Sequence, residues 1–137
     1  MIQKSVFLHC QPAEAFKLFT SRISEWWPET HRPTKDPKSH LFLEPAGRFR
    51  ERSRDGREIE LGRVIAWEPP HRLAFDFYLG TSEAQPTAVE VTFALEEEGT
   101  RVTVCHRPTP ESENLWNLRS PVFQTSWDAV LRALANR

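Results

Sequence analysis

Only two cysteines, Cys10 and Cys105, stand among 137 residues, too few for a disulfide scaffold and suited to a reducing compartment. The five histidines, His9, His31, His40, His71 and His106, are scattered. With no C-x-x-C or H-x-x-x-H spacing, a zinc site lacks its close ligands, and no metal or other cofactor is expected. Both thiols read as small buried hydrophobes. No apolar run approaches the ~20 residues that a bilayer crossing needs, so stable membrane insertion is not expected. The opening MIQKSVFLHC has one lysine, a short apolar stretch and no small-residue cleavage site, so it reads as a first strand and not a signal peptide, and a cytoplasmic location is the expectation. Charge of one sign is also lacking. The formal net charge is -1 and the pI about 6.5, which removes the broad attraction on which nonspecific nucleic-acid binders rely. G-x-S-x-G, the P-loop and G-x-G-x-x-G are all missing, so a nucleophile elbow or a phosphate cradle has no foothold. No internal repeat and no low-complexity tract is visible.

What is present is ordinary for a globular chain: 39% apolar and 27% charged residues. The length suits a single domain, 1–137, able to bury roughly 68–70% of its unfolded surface without a disulfide or metal staple.

Residues 2–9 alternate Ile2, Val6 and Leu8 against Gln3, Ser5 and Phe7, a period of two that predicts a strand, with Lys4 on the apolar side. QPAEAFKLFT (11–20) places Pro12 in a first helical turn and Phe16 and Phe19 at helical spacing. SRISEWW (21–27) can form a second short helix that Pro28 ends. Residues 28–39, with no periodicity, predict a loop near the length at which a functional lid is considered. Strand after strand follows: 40–44, broken at Pro45-Ala46-Gly47; 48–54, closed by Asp55-Gly56; 57–67; 72–79; a loop at 80–86; 87–95; and 101–107. In 120–134, Ser120 can cap and Pro121 suits the first helical position. Phe123, Trp127, Val130, Leu131 and Leu134 fall on one stripe, and 111–119 either extends this helix or forms a separate turn.

An antiparallel sheet with one apolar face and one long helix to cover it must bend around that helix. The predicted class is therefore α+β, a curved sheet of about seven strands wrapped around a long C-terminal helix, with two short helices after the first strand. Leu73, Phe75 and Phe77 share one parity, as do Val89, Val91, Phe93 and Leu95, and again Val102, Val104 and His106, giving one dry face.

QPAEAFKLFT followed by EWWP, then PAGRFR, LGRVIAWEPPHRLAFDF (61–77), TFALEEEGTRVTVCH (92–106) and SWDAVLRAL stand in an order that resembles the SRPBCC (START-like, helix-grip) superfamily, in its subgroup named after the activator of the heat-shock-protein ATPase. The resemblance spans nearly the whole chain. It implies a pocket between sheet and C-terminal helix for apolar or amphipathic small molecules, with a chaperone as a further partner in the named subgroup. The chain departs from the family in its Arg-rich third strand and in Arg107-Pro108 after His106.

Candidate site residues follow. Phe49, Phe75, Phe77, Phe93, Phe123 and Trp127 point under the helix, where they line a ligand-sized space or fill it. Trp26 and Trp27 are ~100° apart on a helix, so one ring enters the core and the other lies at the surface near the 28–39 loop, at a pocket mouth or as an anchor. Glu51 shares the parity of Phe49, and His106 that of Val104. Both bring polar atoms inward, to orient a ligand, to exchange protons, or to be hydrogen-bonded as structure. Arg48, Arg50, Arg52 and Arg54, diluted by neighbouring acids, predict a salt-bridged outer face. With the first strand paired to the last, Cys10 falls near Arg101 and about 13 Å from Cys105, too far for a bridge. The leading reading is a module that binds a small apolar or amphipathic molecule. The alternatives are cyclase- or hydrolase-like acid–base chemistry in the same cavity, and a co-chaperone that stimulates a chaperone ATPase.

Overall fold

The computed structural model of the chain describes residues 1–45 and 47–137; Ala46, in the expected break after the second strand, lies outside the described residues. In chain order the elements are β1 (Ile2–Leu8), α1 (Pro12–Phe19), β2 (His40–Leu43), β3 (Arg48–Arg52), β4 (Glu58–Glu68), β5 (Arg72–Ser82), β6 (Gln85–Glu96), β7 (Gly99–Pro108) and α2 (Trp116–Ala135). Three 3₁₀ turns, Ile23–Glu25, Glu29–His31 and Glu113–Leu115, join them. One seven-stranded sheet runs β1-β7-β6-β5-β4-β3-β2, antiparallel throughout. All neighbours are hairpin partners except β1, which crosses to pair with β7 at the far edge. This is the α+β fold that the pattern predicts, a curved sheet around a C-terminal helix, and the helix-grip arrangement that the resemblance implies.

The sheet curls because β4 carries an extra residue against each neighbour. Phe49 faces Gly62 while Arg50 faces Glu60, leaving Leu61 as the bulge, and Val64 faces Phe75 while Ala66 faces Ala74, leaving Ile65. Each bulge bends the strand and increases its twist. Gly62 is needed where the bend brings chains together: a Cβ there would lie 2.1 Å from the carbonyl oxygen of Asp76.

Helix α2 lies in the concavity and buries Phe123, Trp127, Val130, Leu131 and Leu134, the stripe read from the sequence. Lys4, on the apolar side of β1, extends to the exposed edge of α2 and pairs with Asp128 at 3.0 Å. The helix begins earlier than the Ser120 cap predicts, at Trp116, with Pro121 inside it and no side-chain cap. Tertiary docking replaces the cap. Trp116 packs on the rings of His106 and Phe123, and Gln85 and Thr109 hydrogen-bond the preceding turn to the start of β6. The second short helix shrinks to one 3₁₀ turn, and the expected 80–86 loop is a tight hairpin because β5 and β6 continue to Ser82 and Gln85. Leu95, of inward parity, is 63% exposed, because its strand runs on past the covered face.

Strands β1 and β7 pair as expected but three residues out of the anticipated register: Arg101 faces Phe7, and Cys105 faces Gln3. Cys10 lies beyond β1, and both thiols are free. The arginine-rich β3 is a salt-bridged outer face: Arg48 pairs with Glu60, Arg50 with Glu44 at 2.6 Å and Arg52 with Glu58 at 2.7 Å, while Arg54 pairs with Asp36. At the sheet's other edge, Ser24 Oγ accepts from Leu41 N–H and donates to Leu41 O, which occupies that residue's outward backbone groups on β2.

Candidate functional site

A cavity of about 240 Å³ opens between residues 27–35, the end of β5 and one side of α2. Its walls are the apolar faces of Trp27, Phe77, Leu79, Phe123, Trp127 and Val130. Val122, 54% exposed, marks the mouth. Gly80, at φ +81°, lets β5 pass under Phe123; a Cβ there would stand 2.6 Å from Phe123 Cε1.

The predicted site residues divide. Trp27, Phe77, Phe123 and Trp127 line the cavity. Phe49 and Phe75 fill the deeper interior, with ring centroids 5.4 Å apart, and Phe93 packs against Phe16 and Phe19 under α1. The aromatic set thus fills most of the concavity and leaves room at one end. Trp26 and Trp27 are both buried, at 6% and 4% exposure, contrary to the expectation of one ring at the surface. The chain leaves helical geometry at Trp26 (φ -133°, ψ -13°), so the 100° offset does not apply. Each indole N–H is satisfied: Trp26 by Leu18 O at 2.7 Å, Trp27 by His31 O at 3.1 Å.

His106 is fully buried and uses both nitrogens. The Trp127 indole N–H donates to Nδ1 at 2.9 Å, and Nε2 lies 2.7 Å from Thr87 Oγ1. An indole only donates, so Nδ1 accepts and Nε2 carries the proton; Thr87 Oγ1 then donates onward to Phe77 O at 3.3 Å. Burial pushes the imidazole pKa down to about 3. The ring is a neutral strut.

Glu51 is equally buried and equally engaged, elsewhere. Its carboxylate accepts from Thr34 N–H at 3.1 Å, and from Thr34 Oγ1 and Ser39 Oγ at 2.6 Å each. Ser39 in turn accepts from Arg32, whose guanidinium also donates to the carbonyls of Ser24, Trp27 and Ser39. Burial lowers the Arg32 pKa and the charge of Glu51 opposes that shift. The charge of a buried arginine thus faces that of a buried carboxylate across one hydroxyl, and this fastens residues 32–39 to β3. Glu51 and His106 belong to separate networks, and neither lines the cavity.

The residues that sequence reasoning missed come from the 28–39 segment and from the side of the helix. Thr30, His31 and Lys35 rim the cavity, and Val122, Ser126 and Val130 follow at four-residue spacing along α2. That spacing, and the parity of Leu79 with Phe77, were the available signals. Burial, then the charge of Lys35, lowers the pKa of His31. Among the described residues no carboxylate lines the cavity. Among the described residues no group of three or more His, Cys, Asp or Glu is placed to hold a metal, and no helix is long and apolar enough to cross a membrane.

The fold matches solved structures along nearly its whole length. The anthrahydroquino-γ-pyrone synthase Txn09 shares 32% identity at a TM-score of 0.66, covering 98% of this chain and 94% of that one. The Aha1 dimer from Colwellia psychrerythraea shares 15% identity at a TM-score of 0.66, covering 98% and 92%. CalU16 from Micromonospora echinospora shares 17% at 0.56, covering 97% and 73%. No protein of curated function matches. The sequence profile described as Activator of Hsp90 ATPase homolog 1-like protein matches residues 9–137, so the chain belongs to that family.

Proposed function

We propose that the protein binds a small apolar or amphipathic molecule, with the flat part of the guest between Trp27, Phe77, Phe123 and Trp127. The cavity itself carries this reading: mostly apolar walls, a few polar side chains (Thr30, His31, Arg32 and Lys35 from one segment, Ser126 from α2), and an opening to solvent. Its volume of about 240 Å³ exceeds the ~150 Å³ that admits one benzene ring and falls short of the ~300–1,000 Å³ of drug-sized sites. A one- or two-ring guest fits, or one end of a longer one. Burying roughly 200–300 Å² of such a guest at ~25 cal/mol per Å² supplies about 5–7.5 kcal/mol, and association costs subtracted from it put the affinity toward the millimolar range. Calorimetric titration with 2-naphthamide tests this. Saturable 1:1 binding that Leu79→Trp abolishes, by filling the space, supports the reading; no binding at millimolar concentration overturns it.

A second reading, chemistry on the bound guest, is favoured by the 32% identity with a synthase whose name describes a polycyclic aromatic pyrone. In it the proton-carrying groups are those that reach the cavity, His31 first, and not His106 or Glu51. Stimulation of a chaperone ATPase, suggested by the family name, requires none of the cavity's features, and a direct ATPase assay addresses it.

A further inference from the structure

We infer that the guest carries an anionic group, a carboxylate or ionised enol, seated at Lys35 while its ring occupies the aromatic walls; this rests on the ligand-binding reading above. Lys35 is on the rim, and among the described residues no carboxylate lies within ion-pair distance of its ammonium, which donates one hydrogen bond to Thr30 O at 2.7 Å. Of the acids in or facing this segment, Glu51 is engaged by Thr34 and Ser39 and Asp36 by Arg54 at 3.0 Å, while Glu29 bears on Arg32 and makes no ion pair with Lys35. Arg32 also borders the cavity, but its donors are taken by carbonyls and Ser39. Lys35 is therefore the rim cation with donors to spare, and an ammonium offers three.

The backbone adds a second observation. Lys35 has φ +58°, a left-handed conformation that glycine or asparagine adopts more readily. A residue kept there at a conformational cost is a candidate for a functional role. His31 sits beside it with Nδ1 2.9 Å from Thr30 Oγ1 and with Nε2 unpartnered among the described residues, so one more polar atom is at hand for the same group. The whole protein is slightly acidic, with a formal charge of -1, so any preference for anions must be local to this rim.

The experiment compares 2-naphthoate with 2-naphthamide, which share size and shape and differ in charge, by calorimetry at neutral pH. The expected result is about fivefold tighter binding of the carboxylate, about 1 kcal/mol, at about 20 mM salt, shrinking at about 200 mM. Lys35→Gln brings the ratio to about one, whereas Lys35→Arg and the off-cavity control Lys38→Gln keep it. Equal binding of the two probes, or a preference that Lys35→Gln leaves intact, overturns the anion assignment while the binding reading stands. If neither probe binds, both fall.

Discussion

The indole N–H of Trp127, on α2, donates to Nδ1 of His106, on β7, over 2.9 Å, and this bond sets the tautomer of an imidazole that burial keeps neutral. It is a buried polar pin between helix and sheet, whereas the Lys4–Asp128 ion pair at 3.0 Å joins them at the exposed edge. Its consequences reach both the stability of the fold and the shape of the cavity wall, since Trp127 belongs to both.

Because His106 is held neutral with a folded pKa of about 3, against ~6.5 when unfolded, the unfolded chain binds the extra proton first. The stability contribution is full above pH ~6.5 and is lost as the pH falls toward 3, at roughly 1.4 kcal/mol per unit. Urea unfolding at a series of pH values should have this slope, and His106→Gln should flatten it. A slope unchanged in the variant would assign the acid sensitivity to other groups.

Thr87→Val preserves shape but removes the hydroxyl that accepts from Nε2–H of His106. A buried donor left without a partner costs about 1–3 kcal/mol. Thr87 does not line the cavity, so calorimetric affinity for 2-naphthamide should change much less than the unfolding midpoint.

Glu51→Ala leaves the buried Arg32 without the carboxylate that faces it through Ser39, and frees the amide of Thr34. A buried donor left without its acceptor, as Thr34 N–H and the Ser39 hydroxyl would be, costs about 1–3 kcal/mol. Faster amide exchange at Thr34 and faster tryptic cleavage after Lys35 and Lys38 are expected, and unchanged protection would refute this fastening.

Gly80→Ala meets two penalties: φ is +81°, and the new Cβ would press on Phe123 at 2.6 Å. The left-handed conformation alone costs about 1–2 kcal/mol. Displacing the Phe123 ring alters the cavity, so affinity for an aromatic probe should fall at least about tenfold, about 1.4 kcal/mol. Retained affinity would mean that the ring yields away from the guest.

The order of elements, the antiparallel sheet around one helix, and the stripe from Phe123 to Leu134 are legible in the residues alone, because period-two and period-3.6 burial is written in neighbouring positions. So is the inward placement of Glu51 and His106. Their hydrogen bonds become visible once the chain is folded, since the partners Thr34, Ser39, Thr87 and Trp127 lie 12 to 21 residues away. The same holds for the start of α2, set by docking of Trp116 in place of a cap at Ser120, and for the burial of both Trp26 and Trp27. The cavity emerged at one end of the aromatic core because bulges in β4 curl the sheet, and because a loop without periodicity is fixed in place by a glutamate on another strand. Such closures depend on contacts distant in the chain, which local spacing does not encode.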